Sequence, residues 1–150
     1  PASKAPMTAR VHQMLDELVA HHVRNRPEVT EPTLVPEFER EVGIPLKIPN
    51  LSRYGARWES GSVVPVHDDR RAASLRYKIA GHRVTLYVYK SSSNYALEKA
   101  LPKRHVGDEQ VYVGSYRGYS IGATEHGGVG YALASDLNDA ETAELVAALY

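Results

Sequence analysis

AASLRYKIAGHRVTLYVYK, Ala72 to Lys90, decides how this chain folds. Polar and apolar residues alternate on both sides of Gly81-His82. A two-residue Gly81-His82 loop with glycine first suits a type II′ turn, whose twist matches that of the flanking strands. The spacing predicts a β-hairpin with Ile79 opposite Val84, Tyr77 opposite Leu86 and Leu75 opposite Val88. Those side chains share one face, because successive strand residues point to opposite sides. The other face takes Lys78 with Thr85, Arg76 with Tyr87 and Ser74 with Tyr89. A one-residue slip would put Arg76 and Lys78 into the core, so the register is tightly specified.

Upstream, Arg57 to His67 reads as the preceding strand, joined by a polar Asp68-Asp69-Arg70-Arg71 turn. Pairing across that turn sets Val66 opposite Ala73 and Val64 opposite Leu75, which makes a three-stranded meander. Pro65 cannot donate a ladder hydrogen bond, so its strand belongs at an edge or has a free side there. Downstream, Ser91 to Glu109 is polar and patternless apart from a short helical stretch at Tyr95 to Ala100, and is expected to be a mobile loop. Gln110 to Tyr116 is a strand by its Val and Tyr content, and Tyr119 to Asp136 a second hairpin. A Gly127-Gly128 loop would scatter that hairpin's apolar residues over both faces. A His126-Gly127-Gly128 loop collects them on one, pairing Glu125 with Val129, Ala123 with Tyr131 and Ile121 with Leu133.

The ends are helical. Thr8 to Arg24 carries an apolar stripe of Val11, Met14, Leu15, Leu18, Val19 and Val23, with Arg24 and Arg26 suiting the dipole and Pro27 as the stop. Thr33 to Val42 reads as a short helix capped by Thr33 and ended by Gly43, followed by a short strand at Ile44 to Ile48. Asn138 and Glu141 form a capping-box-like start to a last helix, whose Ala140, Ala143, Leu145, Ala148 and Leu149 can cover one face of the sheet. The expected fold is α+β. A mainly antiparallel sheet, with hairpins 72–89 and 119–136, carries two N-terminal helices and one C-terminal helix. Residues 1–6 form a flexible leader, and 7–150 a single domain.

With 150 residues the chain can bury a real core, and 18 basic against 18 acidic residues give no surplus that would favour nucleic acid. It has no cysteine, which excludes disulfides, thiolate metal sites and a cysteine nucleophile; that fits an oxidising compartment, although cysteine-free cytosolic domains also exist. No apolar run approaches membrane-spanning length and no signal peptide is present. A first residue that is Pro1 rather than Met suggests a processed chain or a fragment.

The seven histidines do not fall at metal-ligand spacings. His21 and His22 are adjacent and point to different sides of a helix. His67-Asp68-Asp69 offers nitrogen and oxygen donors, but reads more plainly as a solvated turn. His82 and His126 lie at hairpin loops. Gly114-Ser115-Tyr116-Arg117-Gly118 only superficially resembles a nucleophile elbow. Gly127, Gly128 and Gly130 sit between strands rather than before a helix, so they are loop residues and no phosphate cradle. Ten of the chain's aromatic residues are Tyr. Tyr112, Tyr116 and Tyr119 crowd around Arg117 as a candidate recognition surface, or as a second sheet face half-buried under loops, with Tyr87 and Tyr89 in the same position. On these grounds no catalytic, cofactor-binding or metal-binding residue is assigned.

The order of segments resembles the extracytoplasmic part of transmembrane anti-sigma factors of the zinc-binding type. The matching residues begin with Leu18-Val19-Ala20-His21-His22-Val23-Arg24 and the short helix from Leu34 to Gly43. They continue through Ile44-Pro45-Leu46-Lys47-Ile48-Pro49, Arg70 to Tyr77 and His82 to Tyr89, and close with Gly118-Tyr119-Ser120-Ile121, Gly127-Gly128 and Ser135-Asp136-Leu137-Asn138. Pro36-Glu37-Phe38 replaces the family's frequent Pro-Trp-Phe, and Thr124 stands where a Trp is common. The resemblance implies a non-enzymatic regulatory domain outside the bacterial inner membrane, tethered by a membrane helix. A separate inner domain, which this cysteine-free chain lacks, would hold the sigma factor and any zinc. Candidate direct partners are a second copy through the first helix, an unidentified ligand and a processing protease. The rival expectation is a small secreted or periplasmic hydrolase or ligand-binding module.

Overall fold

Seven strands form one antiparallel sheet in the order β1-β2-β3-β7-β6-β5-β4. They are β1 (Ala56–Val66), β2 (Arg70–Ile79), β3 (His82–Lys90), β4 (Lys103–Val106), β5 (Glu109–Tyr116), β6 (Tyr119–His126) and β7 (Val129–Ser135). The helices are α1 (Met7–Val23), α2 (Glu39–Val42) and α3 (Asp139–Ala147), and the architecture is α+β. This computed structural model describes residues 7–23, 38–46, 49–66, 70–91, 97 and 100–149. The 1–6 leader, the Thr33 cap, the His67-Asp68-Asp69 turn and most of the helical stretch expected at 95–100 lie outside the described residues.

The sheet is covered on both faces. On one, Leu75, Tyr77, Val84, Leu86, Val113 and Leu133 pack with Ala143, Leu145 and Val146 of α3 and with Val42, Ile44 and Leu51. On the other, Met14, Leu15, Leu18 and Val19 of α1 pack on Tyr87, Tyr89, Ile121, Ala123, Ala132 and Ala134. This explains the second hairpin. Its loop is the two-residue Gly127-Gly128, with φ of 57° and 80°, and it pairs His126 with Val129, Ala123 with Ala132 and Ile121 with Ala134. The expected three-residue loop is therefore incorrect. Apolar residues on both faces of this hairpin are what a doubly covered sheet requires.

The central hairpin keeps its predicted faces but not its partners. Its turn is Ala80-Gly81, both at positive φ (49° and 81°), the signature of a type I′ turn. Pairing is shifted by two residues, to Tyr77 with Val84 and Leu75 with Leu86. In the meander, β1 lies at the edge where Pro65 is tolerated. There Val63, not Val64, shares the Leu75 face: Val63 pairs with Ala73, Val64 with Ala72, and a bulge interrupts the ladder between Trp58 and Ser60.

Two other expectations fail. Ile44 to Leu46 is not a strand but a loop whose Ile44 and Leu46 are buried, tied by the Leu46 N–H donating to Glu39 Oε1 at 2.9 Å. The supposed loop before Glu109 contains β4, whose Lys103, Arg104 and His105 are exposed. An edge strand guarded by cations shows no alternation to read.

Candidate functional site

The densest polar constellation lies where the last turn of α1 meets the sheet. Leu15, Leu18 and Val19 turn inward, and the next position on that stripe is occupied by His22, fully buried, while Val23 is exposed. His22 Nδ1 lies 2.7 Å from Thr85 Oγ1 on β3, and Nε2 lies 2.7 Å from Asp136 Oδ1 just after β7. A neutral ring satisfies both partners when Nε2–H donates to the carboxylate and the Thr85 hydroxyl donates to Nδ1. Burial pushes the His22 pKa below the ordinary histidine value; the Asp136 carboxylate opposes that shift, and Arg83 and Arg76 reinforce it. The edge of Tyr119 meets the ring at 5.3 Å between centroids.

Beside it, Arg76 Nη2 donates to the carbonyl oxygens of His21 (2.9 Å) and His22 (3.0 Å). The guanidinium caps the negative end of α1. This is how Arg76 is buried without any register slip. The Tyr87 hydroxyl donates to the Leu18 carbonyl at 2.7 Å. Three sheet residues, Arg76, Thr85 and Tyr87, thus hold the last turns of α1 by polar contacts.

Thr85, His22 and Asp136 have the separations of a hydroxyl–imidazole–carboxylate relay. The hydroxyl and the imidazole are both fully buried, so neither can meet a substrate. The arrangement can hold a helix and respond to a proton; it cannot act as a nucleophile.

A second cluster ties α1 to the β5–β6 turn. Asp16 Oδ1 accepts from Tyr116 Oη (2.8 Å) and Arg117 Nε (2.7 Å), and His12 stacks on Tyr116. The hydrogen bond from Tyr116 lowers the Asp16 pKa most, with Arg117 adding to it.

The residues singled out from sequence separate widely. His21 Nε2 is 3.2 Å from the Pro65 carbonyl, while His82 and His126 are exposed at strand ends. Ser115 is exposed on a strand before a β-turn, 3.4 Å from both oxygens of Asp139. Gly130 is not in a loop but in β7, beneath the Tyr89 ring. Tyr112, Tyr116 and Tyr119 are half-buried on a covered second face, but the cover is helix α1 rather than the expected loops. Among the described residues no three potential metal ligands converge, and no helix is long and apolar enough to cross a membrane. Sequence reasoning missed the His22 node. The available signal was position: residues 15, 18, 19 and 22 continue the apolar stripe, and a histidine on that stripe needs buried partners.

Compared with models of known families the chain matches none, and no curated protein matches it.

Proposed function

We propose that this chain is the extracytoplasmic regulatory domain of a membrane-bound anti-sigma factor. In this reading it is non-enzymatic and acts by biasing whether an inner domain, outside this chain, holds or releases its sigma factor. The likeness of segment order motivates the reading. The observation that carries it is the seating of α1. The helix is fastened at its last turn by Arg76, Tyr87 and the His22 node, a set of polar bonds that ties the position of α1 to the state of the sheet beneath it. A regulatory domain needs such an element, because a signal can shift only an equilibrium between states that it contacts differently.

The test is transcription from the cognate sigma factor's promoters, with and without envelope stress. Strains would carry the intact protein, a deletion of this domain that keeps the inner domain and membrane helix, or the Arg76→Ala variant. Stress-dependent output should change in the deletion and in Arg76→Ala, with the inner domain still binding sigma. Identical output in all three strains under every stress would refute the regulatory reading.

A further inference from the structure

A row of like charges crosses three strands at the β2–β3 hairpin end of the sheet. Arg57 on β1 is directly opposite Lys78 on β2, and Lys78 is directly opposite Arg83 on β3. Directly opposed like charges destabilise a sheet. Their compensation is incomplete. Glu59 approaches Lys78 at 3.7 Å, and Asp136 approaches Arg83 at 3.8 Å with its other oxygen engaged by His22. Among the described residues Arg57 has no ion-pair partner. The bulge at Glu59 separates Trp58 from Ser60 in the ladder and re-aims the side chains there. A cleft of about 550 Å³ opens at this corner, lined by Arg57, Trp58, Glu59, Lys78 and the Ala80-Gly81 turn. That volume is in the range of small-molecule sites.

We propose that this cleft binds a small polyvalent anion, one carrying at least two negative charges on phosphate or carboxylate groups. Arg57 supplies the planar fork that engages two oxygens at once, and Lys78 a compact second charge. The Trp58 ring turns to the opposite face of the sheet, edge-on to Tyr77, and leaves the charged face to Arg57 and Lys78. Glu59 is the competitor that the anion displaces from Lys78. None of the residues lining the cleft belongs to the His22 node, so this assignment does not depend on the anti-sigma reading.

The experiment titrates the purified chain with pyrophosphate and, separately, with citrate, at ionic strength held constant with sodium chloride. The expected result is a saturable heat of binding in isothermal titration calorimetry with at least one of the two anions, and which one responds distinguishes phosphate from carboxylate. Arg57→Gln should weaken binding by about tenfold or more, the loss of a charge-assisted contact. Glu59→Gln should tighten it, and Lys103→Gln, on the far edge, should leave it unchanged. Arg57 is exposed, so its variant folds, and a thermal melt checks this. No saturable response to either anion overturns the assignment, as does equal binding by wild type and Arg57→Gln.

Discussion

The two faces of the sheet are built on different principles. Under α3 the contact is aliphatic and close: Gly122 has no side chain where Val146 and Thr142 of the helix approach it. Under α1 the contact is laced with polar groups, including a buried histidine, a buried arginine and a tyrosine hydroxyl, each with a partner. Both faces exclude water, yet only the α1 face buries an imidazole and a guanidinium, whose bonding depends on charge and exact placement. A dry face gives cohesion, whereas a polar face specifies where its helix must sit.

The most severe test removes a large side chain from the polar face. Tyr87 is fully buried, so Tyr87→Ala should cost about 3–5 kcal/mol in a urea melt, matching or exceeding Leu86→Ala on the other face. A much smaller loss would mean that α1 does not make a core. Gly122→Ala comes next. It crowds Val146 and should cost about 1–3 kcal/mol, because neither strand nor helix can withdraw freely.

Paired Tyr→Phe changes sharpen the contrast. Tyr87→Phe abolishes the bond to Leu18 and should cost about 1 kcal/mol. Tyr77, on the α3 face, is buried with no hydrogen bond to its hydroxyl among the described residues, so Tyr77→Phe should leave stability equal or raised. A loss in both variants would erase the distinction.

The pH response isolates the His22 node. His22 titrates below the ordinary histidine value of 6.5 because burial disfavours the charged ring. As pH falls through that value the unfolded chain takes up a proton that folded His22 still refuses. The unfolded state then binds more protons, so stability falls with pH until the lower, folded pKa is passed. Urea midpoints measured between about pH 8 and about pH 5 should show this decline, and His22→Gln should flatten it. An unchanged slope in His22→Gln would assign the decline to other groups. The smallest effect is expected at the rim, where Asp16→Asn should cost about 1 kcal/mol or less, since the Arg117 pair is exposed.

Much of the fold was open to sequence reading because alternation survives wherever one face differs from the other. The helix over residues 8–24 and the Asn138 cap, whose Oδ1 accepts from the Glu141 N–H at 2.8 Å, were found within a residue or two. Register was harder. A II′ turn at Gly81-His82 and an I′ turn at Ala80-Gly81 preserve the same faces, so hydrophobicity cannot separate them. Only the cost of Ala80 at positive φ argues against the second, and the ladder outweighs it. The second hairpin was misread because a single covered face was assumed, and a doubly covered sheet has no polar side to count against. The site was least accessible. His22, Thr85 and Asp136 come from three elements far apart in sequence, and only the fold brings them together.

Of the six seams between neighbouring strands, five join elements consecutive in the chain, and only β3 with β7 does not. The sheet is therefore two meanders, β1 to β3 and β4 to β7, zipped edge to edge. Each can form by local hairpin closure, whereas the zip must close the long loop between Lys90 and Val129, the most costly closure in the sheet. Thr85 belongs to one meander and Asp136 follows the other, with His22 bonded to both. The histidine that seats α1 is thus also a rivet through the seam, and anything that draws the helix away loosens the zip that makes two half-sheets one.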